Sequence, residues 1–217
     1  MARAALFDMD RTLVRKETAS LYVKYQRRIG EATTRDLLKV SFWALQYTLG
    51  ILDVATVAER VVATYRGTPE DSLTKKCETW FQSDVLPHVC DKGRTAVKKH
   101  RESGDLIAIV TGASPYATRP LASLLGIEHI VTSRFQVSAE GNLTGKVEHP
   151  LCFGHGKLVR ARAFAKEQGF RLEDAVFYTD SITDLPLLEA CGDRVCVNPD
   201  PRLRRLARTR GWAIERW

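Results

Sequence analysis

Ala4-Ala5-Leu6-Phe7-Asp8-Met9-Asp10-Arg11-Thr12-Leu13 is the stretch from which the fold is read. Its apolar start has the pattern of a buried parallel strand, and the polarity changes abruptly at two carboxylates separated by one residue. Asp8 and Asp10 are thereby delivered to the carboxyl end of the strand, the edge where open α/β sheets bind ligands. Like charges held this close repel, and a bound divalent cation is the simplest relief. An Asp beside such a cation can attack phosphorus while the second moves the proton. Alone, the pattern DxDxT also describes a solvated turn with a helix cap, so the rest of the chain has to decide.

The sequence after Leu13 is helical for about seventy residues, with no convincing strand. One helix runs from Glu17 to Ile29 and stops at Gly30; a second, Thr34 to Leu49, carries Phe42, Trp43, Leu45 and Leu49 for a buried face. Asp53 can cap a third that continues to Tyr65, and Thr68-Pro69-Glu70 opens a fourth that reaches about Ser83. Four such helices form a small bundle over the catalytic edge, with the Trp and Phe side chains as its core.

Strand and helix alternate again after Pro87. The helix Lys92 to Ser103 precedes the strand Leu106 to Val110, which ends at Thr111-Gly112-Ala113-Ser114. A hydroxyl and backbone N–H groups at the start of the next helix, near Pro115, make a natural phosphate cradle. Ile127 to Ser133 suggests another strand, and Phe135 to Val147 a β-hairpin beside the sheet. Lys157 lies near the amino end of the helix Gly154 to Gln168. It reads either as a surface charge or as a fixed cation for a phosphoryl oxygen. Ala175 to Tyr178 is a further buried strand, followed by Asp180 and Asp184, hard oxygen donors suited to a metal. Arg194 to Val197, Asn198-Pro199-Asp200-Pro201, a basic helix and Trp212-Ala213-Ile214 close the chain.

A chain of 217 residues has room for one α/β core and a modest insert. Its 33 Lys and Arg against 26 Asp and Glu give a net charge of +7, which helps attract anionic substrates. The excess sits in Arg202, Arg204, Arg205, Arg208, Arg210 and Arg216, whose helical spacing reads as a solvated face, so no nucleic-acid partner is expected. Cys77, Cys90, Cys152, Cys191 and Cys196 are odd in number and form no CxxC pair. They read as buried thiols of a reducing compartment. No signal-peptide pattern precedes the first strand, and the longest apolar run, Val40 to Leu52, is shorter than a membrane span. A cytoplasmic location and no membrane association are expected.

The order DxDxT, a later strand-end Thr, a helix-start Lys and DSxxD resembles the haloacid dehalogenase superfamily, and within it the phosphoserine phosphatase branch. That resemblance implies a Rossmann-like parallel α/β sheet core, residues 1–14 plus 86–217, with an inserted all-helical cap domain, residues 15–85. It implies Asp8 as nucleophile of an aspartyl-phosphate and Asp10 as the acid, then the base. Mg²⁺ would be held by Asp8, the Asp10 carbonyl and Asp180, supported by Asp184. Thr111, the Gly112 backbone and Lys157 would hold the phosphoryl group, a division of labour that agrees with phosphoryl transfer as mostly positioning and charge neutralisation. Glu17 matches the acid that meets the substrate amine, although it also reads as a first-turn helix acid. Arg60 corresponds to the arginine for the substrate carboxylate, with a surface role as the alternative. Three positions depart from the branch: Arg11 and Thr179 stand where Gly is common, and Thr183 where Asn is frequent.

The expected activity is a Mg²⁺-dependent phosphomonoesterase for a small, amine-bearing phosphorylated metabolite, phosphoserine first. Histidinol phosphate is the rival, and an ester with a longer or lipid-like tail is a third option. A slow phosphate-binding or interaction protein that keeps the fold belongs to a different class, which the intact Asp8, Asp10 and Asp180 disfavour. A nucleic-acid end phosphatase rests only on the basic helix. An exposed apolar face on the cap would favour a homodimer.

Overall fold

The structure, a computed structural model, describes residues 3–31, 33, 35, 38, 42 and 54–217. Its strands are β1 (Ala4–Phe7), β2 (Leu106–Val110), β3 (His129–Val131), β4 (Phe135–Val137), β5 (Leu143–Val147), β6 (Ala175–Thr179), β7 (Asp193–Val197) and β8 (Ala213–Glu215). Six of them form one sheet in the order β3-β2-β1-β6-β7-β8, and every neighbouring pair is parallel. β1 is buried along its whole length because both faces of the sheet are covered. Ala5 and Phe7 enter one apolar cluster with Ile109 and Val97; Ala4 and Leu6 enter the other with Phe177, Leu158 and Leu203. This is the two-residue alternation of a strand inside a three-layer α/β protein.

The chain leaves β1 toward β2 and β3 on one side, then returns to β6, β7 and β8 on the other. The order reverses at β1, so its carboxyl end opens into the crevice where such sheets take ligands.

Between β1 and β2 lie α1 (Thr18–Arg28), α2 (Val54–Ala63), α3 (Glu70–Trp80) and α4 (Asp91–Glu102). Beyond Trp80 the helix widens into a π-turn over Phe81–Val85 and tightens over Leu86–His88, so the last inserted helix passes the expected end near Ser83 without a break. Leu21, Tyr25, Trp80 and Phe81 share one apolar cluster with Phe7 and Ile109: the inserted helices rest on the sheet's own core. The hairpin β4–β5 stands apart from the main sheet and is tied to the insert instead, through Gly67 N–H to the Leu143 carbonyl (2.8 Å) and Leu143 N–H to the Thr68 carbonyl (2.9 Å).

The expected helix Thr34 to Leu49, with Trp43, Leu45 and Leu49, and the Asp53 cap lie almost wholly outside the described residues. Phe42, expected on a buried face, is 56% exposed, and Leu38 is exposed as well. All five cysteines are buried and unbridged. No helix among the described residues is long and apolar enough to cross a membrane. The remaining helices are α5 (Pro115–Leu125), α6 (His155–Gln168), α7 (Leu185–Ala190) and α8 (Pro201–Arg210). On α8, Leu203 and Ala207 are buried and the arginines point outward, as expected of a solvated basic face.

Candidate active site

Asp8 continues the line of β1, its N–H donating to the Tyr178 carbonyl at 2.9 Å, so the sheet ladder fixes the backbone that carries it. The chain then turns sharply. Arg11 adopts φ 54°, the left-handed region that disfavours a side chain, and the turn swings Asp10 toward the start of α1. There the Thr18 N–H donates to Asp10 Oδ1 at 2.7 Å.

Lys157 comes from the first turn of α6 and is only 3% exposed, which rules out the surface-charge reading. Its Nζ donates to Asp8 Oδ1 at 2.8 Å and to Asp184 Oδ2 at 2.7 Å. The approach depends on Gly156, where a Cβ would lie 2.0 Å from the Leu151 carbonyl oxygen. Thr179, at the end of β6, donates its hydroxyl to the same Asp184 oxygen at 2.6 Å. The residue that departs from the common Gly therefore props the carboxylate that orients Lys157. Asp180 follows Thr179 and is buried.

The 180–184 loop has a second fastening that the sequence reading did not assign. Asp200 donates its N–H to the Asp180 carbonyl at 2.8 Å and accepts from Ile182 N–H at 2.6 Å. Its other oxygen accepts from the N–H groups of Arg202 and Leu203, capping α8. An Asp between two prolines ahead of a helical run carries the signal of an N-cap, and the second bond follows only from tertiary placement.

Thr111 lies at the end of β2, 1% exposed, with its hydroxyl oxygen accepting from Ala113 N–H at 3.2 Å. The hydroxyl proton stays available to a ligand. A Cβ on Gly112 would sit 3.4 Å from the Cys152 carbonyl, so the loop passes close to the chain leading into α6. Ser114 caps α5, accepting from Ala117 N–H. Asp8, Asp10, Thr111, Gly112, Lys157, Asp180 and Asp184 thus all stand on strand ends or adjoining helix starts along one sheet edge.

The electrostatics of that edge are those of an acid cluster short of positive charge. Burial pushes Asp8 up to about 7; Lys157 pulls it down, while Asp184 and Asp10 push it further up. Burial, reinforced by Asp8 and Asp184, raises Asp180 to about 8 against the pull of Arg11 and Lys157. Asp10 is raised by burial, opposed by its bonds from Thr18. Burial works against the charge of Lys157, but Asp184 and Asp8 outweigh it and hold the ammonium protonated.

Among the described residues no three His, Cys, Asp or Glu side chains converge on one point as a ready cage. The donor set nevertheless suits a small hard cation. Mg²⁺ is commonly held by one or two carboxylates with water and substrate oxygens completing its shell. Asp8 and Asp180 are two such carboxylates, each with a raised pKa that a cation would reverse.

A pH dependence follows. Both acids titrate near 4 in an unfolded chain. Their folded pKa values are higher, so the metal-free native state keeps protons the unfolded state has lost. The stability they contribute is complete below about pH 4 and is lost as pH rises through about 7 and 8. We expect the metal-free Tm to fall by roughly 5 °C or more between pH 5.5 and 8.5. Mg²⁺ should raise Tm more at pH 8 than at pH 5.5. Equal Mg²⁺ shifts in scanning calorimetry would contradict this account.

On the substrate side Glu17 and Arg60 stand in different settings. Glu17, the N-cap residue of α1, offers no capping bond and instead pairs with Arg11 at 2.8 Å. A cleft of about 290 Å³ opens beside them. Arg60 is exposed on α2 and is not among the residues lining this cleft.

A doubly covered parallel sheet with an acid cluster and a buried lysine on its carboxyl edge defines an α/β enzyme site for anionic substrates. A family profile for haloacid dehalogenase-like hydrolases matches residues 5–189. The chain belongs to that family and is a hydrolase of the haloacid dehalogenase fold. It is similar to a histidinol-phosphatase of Neisseria meningitidis, 26% identical over 99% of this chain and 98% of the relative. It also resembles the phosphoserine phosphatase SerB1 of Mycobacterium tuberculosis, 29% identical over 99% of this chain and 70% of the relative. Among solved structures, a protein of unknown function from Bordetella pertussis superposes with a TM-score of 0.89 at 29% identity, covering 99% of this chain and 98% of that one.

Proposed function

We propose that this hydrolase is a Mg²⁺-dependent phosphomonoesterase for a small phosphorylated metabolite, with phosphoserine as first-choice substrate. The observation that carries the reading is the buried Lys157, bonded at once to Asp8 and Asp184. A fixed ammonium against a strand-end carboxylate is the arrangement needed to bring a phosphoryl dianion up to an anionic nucleophile. In this reading residues 15–85 are the cap over a core of 1–14 plus 86–217.

Asp8 attacks phosphorus through a carboxylate oxygen, forming an Asp8–phosphorus bond as the ester oxygen departs. Asp10, whose pKa burial raises, donates its proton to that oxygen and releases the alcohol. The same carboxylate then takes a proton from the water that attacks phosphorus, breaking the aspartyl-phosphate and restoring both acids. Lys157, the Thr111 hydroxyl and the Gly112 N–H hold the phosphoryl oxygens. Mg²⁺ held by Asp8, the Asp10 carbonyl and Asp180 would neutralise the remaining charge when bound.

Histidinol phosphate is the second reading, favoured by the end-to-end similarity to the Neisseria enzyme. The test is phosphate release from phosphoserine, histidinol phosphate, sugar phosphates, nucleotides and an aryl phosphate, each with Mg²⁺ and with EDTA. Turnover abolished by EDTA is expected. If the folded protein turns over none of them with Mg²⁺, the phosphatase reading fails and a phosphate-binding role takes its place.

A further inference from the structure

The cleft beside Glu17 carries more positive charge than the phosphoryl site requires. Its walls include Arg11, Arg15, Lys16 and Lys24, and Glu17 is the only acid among the described residues lining it. Arg15 is held only weakly by the exposed Asp91, 3.4 Å away. Neither Lys16 nor Lys24 forms an ion pair with any described residue. Four cations facing one carboxylate in a shared depression attract a negatively charged ligand group.

Arg11 ties this cleft to the reacting centre. It stands three residues after Asp8 in the same turn, and its charge bears directly on Asp180. Its backbone occupies the left-handed region at φ 54°, where a side chain is strained and glycine is not. Glu17 engages one guanidinium nitrogen at 2.8 Å and so fixes the direction of the group. A guanidinium has five donors, and the remaining edge is free to take a carboxylate or phosphoryl oxygen pair.

Taking the phosphomonoesterase reading as its basis, we infer that Arg11, oriented by Glu17 and assisted by Lys24, reads a second anionic group on the alcohol part of the substrate. The preferred substrates are phosphomonoesters that carry a carboxylate or a second phosphoryl group a few atoms from the scissile ester. Arg11, rather than Arg60, then takes the carboxylate of a substrate such as phosphoserine, and histidinol phosphate, which has none, is the poorer substrate.

The experiment compares kcat/KM for phosphoserine, its amine-free analogue 3-phosphooxypropionate, phosphoethanolamine and ethyl phosphate, with ethanediol bisphosphate as the second-phosphoryl arm. Wild type, Arg11→Gly and Lys24→Gln are measured with Mg²⁺. Wild type should prefer each carboxylate ester over its carboxylate-free counterpart by about tenfold or more, the worth of one charge-assisted hydrogen-bonded pair. Arg11→Gly should reduce that ratio about tenfold, mainly through KM, and Lys24→Gln should reduce it less. Because glycine relieves the strained φ, the Arg11→Gly variant should melt no lower than wild type. Equal losses on all esters, or no wild-type preference, would overturn the inference while the phosphatase reading stood. Equilibrium binding of phosphoserine and phosphoethanolamine to Asp8→Asn judges the subsite separately: equal affinities sink it even where no ester turns over.

Discussion

Asp8→Asn is expected to lower Mg²⁺-dependent phosphate release by about three orders of magnitude or more without unfolding the protein. The amide keeps the shape of the side chain, and the backbone bond from residue 8 to Tyr178 is untouched. What disappears is the oxygen proposed as the nucleophile, while Asp10 stays bonded to Thr18 and Asp184 stays held by Lys157 and Thr179. The variant also removes one buried acid whose ionised form burial opposes. Its metal-free Tm at pH 8 should therefore equal or exceed that of wild type. A large activity loss with an unchanged or higher Tm identifies Asp8 as a catalytic group. A Tm lowered by many degrees would instead make Asp8 a structural partner of Lys157.

Lys157→Met should be the change at the site most damaging to stability. Removing the ammonium leaves Asp8 and Asp184 facing each other in a buried position, a loss of about 3–5 kcal/mol for breaking a buried ion pair. The phosphoryl group also loses its fixed cation, for a further fall of about 10²–10³ in kcat. The stability loss has a pH signature. Without the cation the folded pKa of Asp8 moves above its present value of about 7. Stability held by such a raised acid is present at low pH and is lost as pH rises through the folded pKa. Urea unfolding should show a larger deficit at pH 8 than at pH 5.5. The same deficit at both would mean that the lysine acts through packing alone.

Much of this architecture was legible because strands buried on both faces must be apolar throughout. Ala4–Phe7, Leu106–Val110 and Ala175–Thr179 are such runs, and each is followed by a residue of the site. Polarity switching at a strand end is visible in one dimension, so the sequence indicates Asp8, Asp10, Thr111 and Asp180 together with the edge they share. The helical character of the insert was equally plain at α1, α2 and α3. Its packing was not, because Leu21, Tyr25, Trp80 and Phe81 join a cluster built largely by the sheet, and the hairpin expected beside the sheet is bonded to the insert.

The pairing of charges was settled in three dimensions. Lys157 is separated from Asp8 by 149 positions, and nothing local distinguishes it from a surface lysine. Thr179 looked like a departure until its hydroxyl was seen on Asp184, and the bond from the Asp200 N–H to the Asp180 carbonyl has no local signal at all. The sequence by itself determined which residues end the strands and what chemistry those types can perform, since burial and polarity alternate along the chain. Only the tertiary structure decided which of them meet: that Glu17 is bound to Arg11, that four cations share one cleft, and that Lys157 stands between two acids. Coulomb forces act over distances in space, and separation along the chain does not report them.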